Sequence, residues 1–194
     1  LHIESPKWTF VFIAAAVITF VFQQITDLWI YLAFFPAFAF QNPWMFVTSI
    51  FLHANFEHLL FNMIALFFFG ITLERAIGHR AFVALFLGSG VVGNIGYLIT
   101  ASDPFTPAIG ASGAVYGVLG ALAVLAPLMM IFVYGLIPVP MIVAAAFWVL
   151  LDFVGLSSTT GIAHGAHIGG MVVGVSFGLY VRWRTMSARH RVYY

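Results

Sequence analysis

A serine and a histidine sit in two glycine-rich apolar segments, Gly110-Ala111-Ser112-Gly113 and Gly165-Ala166-His167-Ile168-Gly169-Gly170. A serine hydroxyl is a weak nucleophile until a base takes its proton, and histidine is the side chain whose ordinary pKa suits that role near neutrality. Ser112 and His167 therefore supply the minimum pair for acyl transfer. His58 and Asn62 are four residues apart, hence on one helical face, and both can donate to the oxygen that turns negative in a tetrahedral intermediate. The Ser112 backbone N–H, at a helix start, is a further donor of this kind. Asp152 is the only aspartate within an apolar run and a candidate for orienting the base, although a dyad without an acid is the simpler reading.

Each residue also has a plainer explanation. A Gly-x-Ser-Gly string in a small-residue helix is often packing, and an intramembrane asparagine often bonds a neighbouring helix. His53, His79, His164 and His190 read as satisfied polar contacts, with His53 and His164 lying near the presumed site. The convergence of His58, Asn62, Ser112 and His167 on one layer is what favours chemistry, because polar groups are costly in hydrocarbon.

The elements that must bring these groups together are membrane helices. Of 194 residues, 63% are hydrophobic and only 7% charged, too apolar for a water-soluble domain, so the fold class is an all-α polytopic membrane protein. Six apolar runs approach the roughly 20 residues needed to cross the hydrocarbon: 8–25, 59–77, 81–100, 110–127, 140–153 and 165–183. Pro127 stops the fourth, since proline cannot donate to a helix and clashes with the preceding turn. Residues 26–56 are apolar and aromatic but broken by Pro36 and Pro43, and read as a large first external loop folded at the interface. Its run Phe34, Phe35, Phe38 and Phe40 suits interfacial anchoring. Residues 128–137, bounded by Pro127 and Pro138, are too short to span and read as an interfacial return.

Threading six spans places Lys7, Arg75, Arg80, Arg182, Arg184, Arg189 and Arg191 on one side. The positive-inside rule then puts both termini in the cytoplasm of a plasma-membrane protein. Spans two, four and six run inward from outside, and His58, Asn62, Ser112 and His167 fall in their first turns. At 1.5 Å per residue these groups sit a few to roughly 10 Å below the outer surface. Small residues at four-residue spacing, Gly113 and Gly117 against Gly170, Gly174 and Gly178, let the fourth and sixth helices approach closely.

Composition excludes other classes. There is no cysteine, hence no disulfide and no thiolate metal site. A net charge of +1 without a basic stripe excludes nucleic acid as a partner. The stretch Leu1 to Lys7 has no basic n-region, so nothing marks the first apolar run as a removable signal. No metal or organic cofactor is expected.

In this order and spacing the motifs are specific, and the chain resembles a rhomboid intramembrane serine protease from Trp44 to its last helix. The motifs are His58-x-x-x-Asn62, Glu74-Arg75 followed by Gly78, Gly110-Ala111-Ser112-Gly113, and Ala166-His167-Ile168-Gly169-Gly170. The resemblance implies a single minimal six-helix rhomboid core over 1–194, without a further soluble domain. It implies Ser112 as nucleophile and His167 as general base of a dyad, and His58, Asn62 and the Ser112 N–H as the oxyanion hole. Tyr116 would pack its ring on His167, and Glu74 with Arg75 would be a structural pair at the base of span two. The partners implied are transmembrane protein substrates and the lipid bilayer. Two positions depart from the pattern: Met45 follows Trp44 where many members carry arginine, and His164 stands where asparagine is frequent. The first bears on how the loop is anchored, the second on how His167 is held.

Two other classes fit parts of the pattern. A rhomboid-like protein that binds membrane clients without cutting them typically lacks the serine or the histidine, and this chain has both. A small transporter would continue its polar groups to the opposite face, whereas below Tyr116 and Asn62 the even-numbered spans turn almost wholly apolar.

Overall fold

Six long helical segments are found among residues 5–133, 135–158 and 161–190, the part of the chain that the computed structural model describes. They are α1 (Lys7–Ile25), α2 (Phe56–Ile77, passing through one π turn at Leu66–Gly70), α3 (His79–Thr100), α4 (Ser112–Leu125), α5 (Met141–Gly155) and α6 (His164–His190). Residues 1–4 and Arg191, which entered the reading of the first segment and of orientation, lie outside the described residues. The all-α polytopic membrane fold is as expected. Among the described residues α1, α2 and α3 are long and apolar enough to cross a membrane. Helices α4 and α5 have only 14 and 15 residues. At 1.5 Å per residue they are about 21 to 23 Å long, short of a hydrocarbon core of about 30 Å.

Local chemistry sets the helix starts. Helix α2 begins three residues before the expected position because Asn55 caps it, its Oδ1 accepting from the His58 N–H at 2.8 Å. Helix α4 begins two residues later than expected. Gly110 has φ 124°, a conformation only glycine adopts readily, and the helix cannot start until the chain has passed it. At the other end of α2, Gly78 (φ 81°) turns the chain directly into α3. The expected interfacial return is a hairpin, β1 (Met130–Val133) antiparallel to β2 (Ile137–Pro140), with Met130 opposite Pro140. Its prolines sit on the second strand of a two-stranded ribbon, where an edge tolerates a missing N–H.

The first long loop is tied down rather than draped. Phe34 pairs with Ala108 in a β-bridge, and Phe34, Ala39, Met45 and Ala108 form a small buried cluster. Met45, the departure from the Trp-Arg pattern, is thus a core residue. Asn94 of α3 supplies a polar anchor, its Nδ2 donating to Phe46 O and Ser49 Oγ, each at 2.9 Å. Trp44 Nε1 donates to Tyr31 O at 2.9 Å. Of the four aromatics expected at the interface, Phe34 is instead fully buried, while Phe38 and Phe40 are exposed.

Glu74 serves as more than one half of a pair with Arg75. Its buried carboxylate accepts from the Trp8 and Thr9 N–H groups and from Thr9 Oγ1, at 2.7 to 2.9 Å, and lies 2.6 Å from His79 Nδ1. The first N–H groups of a helix have no intrahelical acceptor, and a carboxylate there satisfies them and suits the dipole. Glu74 therefore fastens the start of α1 to the ends of α2 and α3.

The closest packing is between α4 and α6, as the small-residue spacing implies. A Cβ on Gly170 would collide with Gly113 O, and one on Gly174 with Gly117 O. Helix α3 meets α6 the same way, with Gly93 against Ala166 O and Gly169 against Val92 O. Around these contacts Phe12, Leu66, Phe82, Phe86, Val118 and Leu122 form the apolar core. The outward residues Phe22, Phe68, Phe147, Leu150 and Leu179 are exposed, as befits helices whose solvent is lipid.

Gly174→Ala should force α4 and α6 apart. The expected cost is about 1–3 kcal/mol, the usual range for overpacking, seen as a lower Tm in detergent. Gly88→Ala is the control, because a Cβ there meets nothing within 4 Å. Equal Tm values for the two variants would contradict the proposed role of the glycine contact.

Candidate active site

The contact between α4 and α6 places the first residue of one helix beside the first turn of the other. Ser112 Oγ lies 2.9 Å from His167 Nε2. The Tyr116 ring, one turn along α4, stacks on the His167 imidazole with centroids 4.2 Å apart and planes 11° apart. Behind His167 stands Asp152, whose Oδ1 is 2.9 Å from His167 Nδ1. A carboxylate there accepts from Nδ1–H, which leaves the Nε2 lone pair facing the serine. Ser112, His167 and Asp152 thus stand in line, with a carboxylate where the simpler expectation of a dyad places none. Asp152 lies in the last turn of α5, which faces the first turn of α6.

Gly110 shapes the other side of the serine. Its N–H donates to Ser49 O at 2.9 Å, and the His58 ring lies so close to its Cα that any Cβ would strike Cε1 and Nε2. Ala54 N–H points to His58 Nδ1 at 3.5 Å, an arrangement that leaves the proton on Nε2. Asn62 Nδ2 donates to His58 O at 2.8 Å, which uses one of its two amide hydrogens. As the first residue of α4, Ser112 has no intrahelical acceptor for its own N–H. His58, Asn62, Ser112 and His167 all line one cavity of about 1080 Å³, whose wall also carries Gln23, Asn55, Asp103 and His164. The four residues expected in one layer thus border one cavity.

The four histidines read as ordinary contacts divide. His79 holds Glu74 at the far end of the molecule, and the His190 side chain is outside the described residues. His164 is part of the site, its Nδ1 lying 2.7 Å from Asp152 Oδ1. His53 is fully buried, and its Nε2 accepts from the Ala111 N–H at 3.4 Å, just before the serine. Gln23 of α1 grips the backbone of His53 on both sides, donating to its carbonyl and accepting from its N–H. Asp152, His164 and His167 put three donor atoms within 4.8 Å of one another. Both imidazoles hydrogen-bond Asp152 Oδ1, which accounts for that spacing.

Comparison with known proteins places these features in a family. Residues 41–184 match the Rhomboid domain. The chain is 44% identical over 77 residues to the putative rhomboid protease YdcA of Bacillus subtilis, a match covering 40% of this chain and 38% of that protein. It is 33% identical over 152 residues to the mitochondrial Rhomboid protein 1 of Saccharomyces cerevisiae, covering 75% of this chain and 44% of that one. With the rhomboid protease AarA of Providencia stuartii it shares 30% identity over 151 residues, 68% of this chain and 53% of the relative. In each case the match spans less than two thirds of the relative's own length.

His53 gives a pH dependence to the loop beneath the serine. Burial, and then the neighbouring His58, hold its pKa down to about 4 from an ordinary 6.5. The unfolded chain therefore takes up this proton first as the pH falls. Stability from the neutral ring is whole above pH 6.5 and is lost on going down toward pH 4, by up to about 3 kcal/mol. The Tm in detergent should fall more steeply over that window for the native chain than for His53→Gln. Parallel slopes would mean that another group is responsible.

Proposed function

The chain belongs to the rhomboid family, and from that premise we propose that it is a serine endopeptidase cutting other membrane proteins in or next to their transmembrane segments. We read it as one rhomboid-like membrane domain. The observation that carries the reading is the line of two 2.9 Å contacts from Ser112 Oγ through His167 to Asp152. Ser112 Oγ attacks the scissile carbonyl carbon while its proton passes to His167 Nε2. Asp152 keeps the ring in place and balances the charge it gains. The oxygen that becomes negative is met by His58, Asn62 and the Ser112 N–H. Collapse breaks the C–N bond, and the amine leaves with the proton from His167. A water then attacks the acyl-serine, again giving its proton to His167, and hydrolysis frees Ser112 and a carboxylic acid.

Hydrolysis needs water where lipid supplies none, and the cavity over Ser112, with Gln23, Asn55 and Asp103 in its wall, is the source that this reading requires. Helical carbonyls are engaged and shielded, so a substrate helix must unwind before Ser112 can reach one. Small or helix-breaking residues near the scissile bond follow from that requirement. We place the protein in the plasma membrane with both ends cytoplasmic and the cavity near the outer face. Lys7 at the start of α1, Arg75 at the end of α2, Arg80 in the first turn of α3, and Arg182 and Arg184 late in α6 stand at helix ends opposite the cavity. That distribution supports the orientation through the positive-inside rule.

The native chain in liposomes should cleave a single-span test substrate, and Ser112→Ala and His167→Ala should each fall to background. Asn62→Ala should lower kcat by about a hundredfold, the order expected for one oxyanion donor. A fluorophosphonate should label Ser112 in the native chain and fail to do so in His167→Ala. Cleavage that persists in both Ser112→Ala and His167→Ala would sink the assignment. A native chain that binds several substrates and cuts none would instead be a client-binding relative.

A further inference from the structure

One oxygen of Asp152 serves two histidines. Oδ1 lies 2.9 Å from Nδ1 of His167 and 2.7 Å from Nδ1 of His164. The histidines are three residues apart on the first turn of α6, hence on one face, and both rings reach across to the last turn of α5. Their planes are near perpendicular, 79° apart, with centroids at 6.3 Å, so each meets the carboxylate from its own direction. Gly155, three residues after Asp152, makes room for the second ring, since any Cβ there would collide with it. The far nitrogen of His164 lies 3.3 Å from Ser158 Oγ. His164 is therefore built into the site.

We propose that His164 is a positioning residue that divides the Asp152 carboxylate with the general base and so sets the pH at which His167 works. The inference rests on the protease reading above. A carboxylate oxygen shared between two N–H donors gives each a weaker bond than it would give one alone. When His167 accepts the Ser112 proton, the stabilisation of its new charge is reduced by the share that His164 holds. Any positive charge on His164 acts in the same direction, because two imidazolium rings 6.3 Å apart repel. The titratable groups facing the pair are Asp152 from α5, Tyr116 from α4, His58 from α2 and, across the cavity, Asp103 of the α3–α4 loop. His164 lines that cavity.

The test is the pH profile of kcat/KM for substrate cleavage in liposomes, whose acid limb reports the base of the free enzyme. Asp152→Asn should lower activity strongly and move the acid limb to lower pH, because the charged ring loses its counter-ion. His164→Ala should move it the opposite way, to higher pH, by on the order of half a unit, because the carboxylate then serves His167 alone. His164→Asn, whose amide can again donate to Oδ1, should return the limb most of the way. A readout that needs no turnover is the low-field proton resonance of His167 Nδ1–H in micelles. It should move downfield in His164→Ala and vanish in Asp152→Asn. An unmoved limb and unmoved resonance in a His164→Ala chain that still cleaves would overturn this proposal alone. The expected resonance shifts in a native chain that cleaves nothing would overturn the protease reading and leave the shared carboxylate standing.

Discussion

The site depends on how closely two helix backbones can approach. Ser112 opens α4 and His167 lies in the first turn of α6, so their side chains meet only if the helices nearly touch. Gly113 and Gly117 supply that freedom on one side, Gly170 and Gly174 on the other. In lipid there is no hydrophobic drive to press helices together, and close van der Waals packing at small residues takes its place. Gly113, next to Ser112, is itself one of the contact points, which makes the spacing of Ser112 and His167 and the packing of the fold one property.

A second constraint is length. A helix of 14 residues that starts at Ser112 is shorter than the hydrocarbon is thick, so at least one of its ends lies within the thickness of the membrane. The space above it is filled by the ends of α1 and α2 and by the loops, which carry Gln23, Asn55, His58 and Asp103 to the cavity wall. The polar side chains in that wall offer water partners beside an apolar bundle. The loop that closes one side must then be rigid, and Asn94, Met45 and the Phe34–Ala108 bridge hold it to α3 and to the approach to α4.

Much of this was legible in the residues. Ser112, His167, His58 and Asn62 could be assigned to one layer because helix direction alternates and the rise per residue is fixed. The glycine faces could be read because a spacing of four has one physical meaning on a helix. Three features were not readable in that way. Met45 is a core residue because a loop folds back on itself, which no period reveals. The apolar stretch after Pro127 pairs as a hairpin because its two halves meet across a turn. Asp152 could be named as a candidate, but its contact with His167 depends on how the last turn of α5 meets the first turn of α6, which no spacing within one helix reveals.

Asp152 also shows why structure and chemistry cannot be separated here. A carboxylate buried among apolar helices costs several kcal/mol unless hydrogen bonds replace its water. Two imidazole N–H groups reach one of its oxygens, and they offset part of that cost. The same bonds fix the tautomer of His167 and aim its free nitrogen at Ser112. Removing either histidine would leave the carboxylate poorly satisfied, so a substitution at this cluster acts on folding as well as on the geometry around Ser112. The stacked Tyr116 ring blocks the remaining face of His167, which leaves the imidazole one orientation that satisfies serine and aspartate at once.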